Sequence, residues 1–299
     1  MKKLIALLLA AMMVLSLAAC GGKTESTQTT EPAETAENTQ TEENTEAGEP
    51  AAEVKLTTVT DGKLTVATSP DFAPYEFYAV ENGTPRLAGF DVALAGYIAD
   101  YLGLELEIVP IDFDGVLMEL QTKNVDLGLA GLSPDPKRES IMDFSDIYYQ
   151  GGQSFVTVKG SEDKFATIED TNKAEYQIGA QTGSIQVDLA QENSPDAEII
   201  QLAKVTDIIA ELLAGKLDGA YIETAVAESY AVNYPELAIV LDVPYDVEGS
   251  AVGVSKGNAE LLAAVNEAIA AALADGSMDK FVAEANELAS GEIIEGLLD

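Results

Sequence analysis

An α/β fold built as two similar lobes is predicted by three features of the sequence. Short apolar or alternating runs that read as strands are interleaved with segments at helical spacing. A helix end, a turn and a short buried strand recur at residues 120–133 and 212–223, through Val125-Asp126 and Leu217-Asp218. Four strand ends then deliver polar groups, and in open parallel sheets ligands bind beyond the carboxyl ends of strands.

The elements follow in order. Leu64 to Ala67 predicts the first strand, and its carboxyl end delivers Ser69 to Tyr75. Val92, Ala95, Ala99 and Leu102 recur at helical spacing behind Asp91, a predicted N-cap. Leu104 to Ile108 alternates strictly, as a half-buried strand does, and Asp112 or Asp114 can cap a helix running to Gln121. Asp126 to Ala130 is the next strand, with Gly131 and Ser133 just beyond it. Further strands are predicted at Phe155 to Val158, Gln177 to Ala180 and Gly219 to Ile222. Gln181-Thr182-Gly183-Ser184 follows the second of these and Glu223 the third. Helices are predicted from Ser184, from Val205 to Ala214, after Ile222, from Asn258 and from Ser277.

Composition removes several classes of function. The 299 residues carry 16 Lys or Arg against 52 Asp or Glu, and a formal charge of −36 excludes a generic nucleic-acid binder. The absence of His removes Ser-His-Asp and Cys-His catalysis and the commonest transition-metal ligand. A single Cys excludes an internal disulfide, and no Gly-rich loop with Lys-Ser/Thr offers a nucleotide site. No cofactor and no metal are expected.

Residues 1–19 read as a secretory signal: Lys2 and Lys3, an apolar run from Leu4 to Leu17 too short for a comfortable membrane span, then small residues. Leu17-Ala18-Ala19-Cys20 resembles the lipobox of bacterial lipoproteins, in which cleavage before the Cys leaves a thiol that is acylated. Cys20 is then a lipid anchor, and the rest of the chain lies outside the cell on the membrane surface, a setting that suits a Gram-positive cell. From Lys23 to Glu53 nine Glu, one Lys and no aromatic residue leave nothing to bury, so 20–53 is predicted to be a disordered acidic tether.

The folded part resembles the extracytoplasmic solute-binding proteins of amino-acid ABC importers. The resemblance covers about residues 62 to 290. It is carried in family order by Gly62 to Ala67, Phe72-Ala73-Pro74-Tyr75-Glu76-Phe77, Gly89-Phe90-Asp91-Val92, Asp112-Phe113-Asp114-Gly115, Gly131 to Arg138, Phe144 to Tyr149, Gln181 to Ser184 and Lys256-Gly257-Asn258. It implies a two-lobed periplasmic-binding-protein-like fold, each lobe a sheet flanked by helices, joined by two hinge strands near Gln150 to Gln153 and Asp246 to Ser250. Lobe 1 would comprise 54–152 and 249–299, and lobe 2 153–248.

The same resemblance implies site residues. Arg138 matches the carboxylate-binding Arg, whose planar guanidinium takes both oxygens, and Ser184 matches the helix start that shares that carboxylate. Glu223 matches the acid that takes the α-ammonium, with a carbonyl from Gly131 and a hydroxyl from Ser133. Phe72 and Phe113 match positions flanking the ligand side chain. Ser69 stands where relatives selective for cationic amino acids carry an acid, and Asp135 replaces a hydroxyl-bearing residue. Plainer roles stay open at this point: a surface Arg, an N-cap at Ser184, a helix-start Glu and two core rings.

The expected function is capture of a free L-amino acid between the lobes and its delivery to the permease of an ABC transporter, by a monomer without catalytic residues. The alternative is an enzyme of the same fold, such as a dehydratase, with Glu223, Asp135 or Asp71 as acid catalyst. Ser69, Phe72 and Phe113 favour an uncharged ligand, with Asp71 and Asp135 as the groups able to accommodate a cation.

Overall fold

The computed structural model describes residues 56–246, 249–291 and 293–294. The predicted signal, Cys20 and the acidic tether lie outside the described residues. In chain order come β1 (Lys63–Thr68), β2 (Asp71–Phe72), β3 (Glu76–Glu81), β4 (Thr84–Ala88), α1 (Phe90–Leu102), β5 (Glu105–Pro110), α2 (Phe113–Thr122), β6 (Leu127–Gly128) and β7 (Met142–Tyr149). They are followed by β8 (Gln153–Val158), β9 (Gln177–Gln181), α3 (Ile185–Asn193), β10 (Glu198–Leu202), α4 (Val205–Leu213), β11 (Gly219–Glu223), α5 (Thr224–Asn233) and β12 (Leu237–Asp242). The chain closes with β13 (Ser250–Ser255), α6 (Ala259–Ala274), α7 (Ser277–Ala289) and β14 (Ile293–Ile294).

Two five-stranded sheets form the lobes, in the orders β5-β1-β6-β13-β7 and β10-β9-β11-β8-β12. Their pairings follow one pattern. Three parallel strands (β5, β1, β6 or β10, β9, β11) are followed by one running the opposite way (β13 or β8) and then by one that runs with the first three (β7 or β12). The repeat seen in the sequence is therefore structural: α2 with β6 and α4 with β11 hold equivalent places in the two sheets. The chain passes from the first sheet to the second between Tyr149 and Gln153, and returns between Asp242 and Ser250.

Burial explains why the strands read as they do. β1 lies between two neighbours with both faces covered, and Leu64 to Thr68 are all buried. β5 lies at an edge and alternates. A third small sheet of β14, β3, β2 and β4 carries the loop after β1. The buried stripe of α1 departs from the predicted one: Leu94, Ala95, Ile98 and Ala99 face inward, while Val92 and Leu102 are half-buried. Asp91 is also not the N-cap. Gly89 holds that place, and Asp91 is wholly buried in the first turn of α1.

Candidate functional site

The carboxyl ends of β1, β6, β9 and β11 meet across the line between the lobes, and the side chains they carry are buried there. Asp135 caps a 3-10 turn at Pro136–Arg138 by accepting from the Lys137 amide at 2.9 Å. That turn delivers Arg138, whose Nη1 donates to the Ser133 carbonyl at 3.3 Å and whose Nη2 donates to the Gly183 carbonyl of the other lobe at 2.9 Å. The guanidinium carbon stands 5.6 Å from the centre of the Phe113 ring. Burial lowers the Arg138 pKa, and the neighbouring Asp135 and Asp188 oppose that shift. Asp135 thus positions the turn, and its carboxylate faces Lys137.

Glu223 ends β11 and is 3% exposed. Its Oε2 caps α5 by accepting from the Val226 amide at 2.9 Å. Its Oε1 accepts from the Tyr75 hydroxyl of the first lobe at 3.1 Å and from the Gly152 amide at 3.2 Å. Burial pushes the Glu223 pKa to about 7 against those three donors. Gly151 permits this approach, since a Cβ there would stand 2.8 Å from Glu223 Oε1.

Gly131 sits at φ +55°, and a Cβ on it would stand 2.7 Å from the Phe72 ring. Its amide donates to Asp91 Oδ2 at 3.0 Å, and Tyr148 donates to Asp91 Oδ1 at 2.7 Å. Asp91 therefore fixes the turn that presents Gly131 and Ser133. The Phe72 ring lies 5.3 Å from that of Tyr75. Ser69 is buried and donates to Asp71 Oδ1 at 2.9 Å. The Ser184 hydroxyl donates to the Gln181 carbonyl at 2.7 Å and makes no capping bond, although Ser184 holds the N-cap position of α3.

All eight predicted positions, Ser69, Phe72, Phe113, Gly131, Ser133, Arg138, Ser184 and Glu223, are at the strand ends or beside the groups those ends carry. A buried guanidinium and a buried carboxylate thus each meet a group of the opposite lobe, with no ion pair between the two, an arrangement that suits the two ends of a zwitterion. Tyr75, Asp91 and Gln181 complete the surroundings. The sequence reading gives none of the three a role in the site, although the Tyr75 hydroxyl inside an otherwise apolar stretch is a readable signal.

Four carboxyls here titrate high. Burial raises Asp71 and Asp91 each to about 6 and Glu223 to about 7, and burial beside Asp91 and Asp71 raises Glu76 further. The folded chain then holds protons that the unfolded chain gives up as the pH rises, so stability falls between the ordinary carboxylate range and neutrality. The thermal midpoint should be higher at about pH 5 than at about pH 8. Equal midpoints would show these carboxyls to be unshifted.

The chain is similar to several known proteins. The arginine-binding extracellular protein ArtP of Bacillus subtilis (strain 168) is 30% identical, over 94% of this chain and 96% of its own. The amino acid ABC transporter substrate-binding protein AbpA of Streptococcus pneumoniae, solved bound to L-arginine, superposes with a TM-score of 0.74 at 33% identity. That alignment covers 77% of this chain and 97% of AbpA. Cyclohexadienyl dehydratase of Pseudomonas aeruginosa is 27% identical over 64% of this chain and 70% of its own. Residues 64–285 match the bacterial extracellular solute-binding proteins, family 3, and the chain belongs to that family.

Proposed function

We propose that this protein captures L-arginine or a closely related amino acid between its lobes outside the cell and hands it to the permease of an ABC transporter. The observation that carries the reading is the clamp: Arg138 from the first lobe for the α-carboxylate, and Glu223 from the second for the α-ammonium. Each is buried, and each already bonds to the opposite lobe, through Gly183 and Tyr75. A ligand joining them stabilises the closed form by its differential contacts. The expectation of an uncharged ligand rested on Ser69, Phe72 and Phe113. The arginine named for ArtP and AbpA weighs against it, as does a chain charge of −36, which attracts cations. Calorimetry of the full chain against the common amino acids tests this, with arginine expected to bind most tightly. Failure of every amino acid to bind would overturn the reading.

Attachment to the membrane through acylated Cys20 belongs to the same proposal, with the acidic tether spacing the lobes from the surface. Cys20→Ser should release the protein from the membrane fraction and leave its affinity unchanged, because the anchor contributes nothing to the pocket. Fractionation of cells carrying that variant checks it, and retention in the membrane would remove the lipid anchor.

A second reading, a dehydratase acting on a small carboxylic acid, draws on the raised pKa of Glu223, which suits an acid catalyst at neutral pH. That carboxyl already accepts three hydrogen bonds, an arrangement suited to holding a cation. Recovery of bound ligand unchanged after long incubation supports binding without turnover, and a dehydrated product would support the enzyme.

A further inference from the structure

On the amino-acid-binding reading above, the clamp takes the α-carbon end of the ligand, and the rings of Phe72 and Phe113 are left for its side chain. The residue immediately before each ring is an acid, Asp71 and Asp112 respectively. Burial raises the Asp71 pKa, and the charge of Asp112 adds a smaller effect in the same direction. Asp71 reaches back two residues to accept from the Ser69 hydroxyl at 2.9 Å, so a carboxylate lies one hydrogen bond from the Ser69 side chain. Its other oxygen accepts from Gln181 Nε2 at 3.3 Å and from the Val205 amide at 2.5 Å. The three donors that meet it are a hydroxyl, a carboxamide and a peptide amide, all neutral. Gln181 leads directly into the Gly183 carbonyl that meets Arg138. Asp71 and Arg138 therefore both bond to one short segment of the other lobe, residues 181–183.

A carboxylate buried among neutral donors and beside a second acid is costly to keep charged. A cation arriving with the ligand offsets that cost, and a neutral side chain of the same shape does not. Oδ1 accepts the single Ser69 bond and retains a lone pair for a further donor.

We propose that Asp71 is the acceptor for the cationic end of the ligand side chain and so the residue that selects arginine over its uncharged analogues. The proposal rests on the amino-acid-binding reading above. It assigns the cation to a position two residues beyond Ser69, whose hydroxyl acts by orienting the Asp71 carboxylate.

Asp71 also ties the lobes together through Gln181 and Val205, so its loss could weaken every ligand alike. The test therefore compares two probes of one shape, L-arginine and L-citrulline, in which a neutral urea replaces the guanidinium. Calorimetry on the full wild-type chain at about pH 7.5, above the raised pKa of Asp71, should show a preference for arginine. In Asp71→Asn, the arginine dissociation constant should rise by about 30-fold or more while that of citrulline changes by less than about threefold, collapsing the preference. Asp71→Glu keeps the charge and should keep the preference, which also serves if the Asn variant does not fold. An unchanged ratio of the two affinities in Asp71→Asn, whether both fall together or neither moves, would overturn the assignment. A wild type that binds citrulline as well as arginine would overturn it as well, with the clamp left standing. A wild type that binds neither would instead overturn the amino-acid-binding reading itself.

Discussion

Arg138→Ala is expected to abolish useful amino-acid binding while the protein stays folded. The guanidinium is the one group in the clamp able to meet both carboxylate oxygens, and it is buried where the loss of a partner cannot be made good by water. Removing one member of such an enclosed pair costs about 2–5 kcal/mol, or about 30-fold in affinity at the least. The variant also loses the bond to the Gly183 carbonyl, so closure itself becomes less favourable. The turn that carries residue 138 survives, since its cap is the Asp135 carboxylate on the Lys137 amide. Calorimetry with L-arginine checks the affinity and circular dichroism the fold. Unchanged affinity would place the carboxylate elsewhere, and Arg138→Lys should fall between the two, with charge retained and the planar fork lost.

Glu223→Gln has the second largest expected effect. An amide keeps the volume of the side chain, and with its oxygen toward the Val226 amide it keeps the cap on α5. Its NH2 then meets the Tyr75 hydroxyl, which can reverse and accept, at the cost of the bond from the Gly152 amide. The fold should therefore hold while the charge that answers the α-ammonium is gone, weakening binding by about 2 kcal/mol or more. The wild-type affinity should also drop as the pH falls through about 7, where Glu223 takes up a proton, and the Gln variant should lose that dependence. Titrations of both proteins across that range decide the matter; parallel pH profiles would move the ammonium to another group.

The helices and most of the parallel strands were legible because their apolar positions follow simple periods, whereas β3, β4, β7, β12 and β13 were not predicted. β1, β9, β11, α4 and α6 read directly from sequence, and the strand-end rule then brought Ser133, Ser184 and Glu223 into view. β2, only two residues long, and the more polar β10 gave no periodic signal to find. Asp91 is the instructive failure. An acid before an apolar helical run reads as a local cap, yet its carboxylate bonds to Gly131 and Tyr148, which lie 40 and 57 residues away in the chain. The Tyr75 hydroxyl was a visible signal, but its partner was hidden for the same reason, since Glu223 stands 148 residues further on. Local pattern exposes elements, whereas buried polar pairs are fixed by tertiary packing that no window of sequence contains.

The two passages between the lobes are pinned to a single side chain. Tyr245 donates to the Gly151 carbonyl of one passage at 3.3 Å, and its oxygen accepts from the Gly249 amide of the other at 3.0 Å. Two ropes tied together at mid-span behave as one axle: neither can lengthen or slide while the knot holds. A displacement of one passage is thereby felt by the other through a phenol that stands apart from Arg138 and Glu223 in the chain.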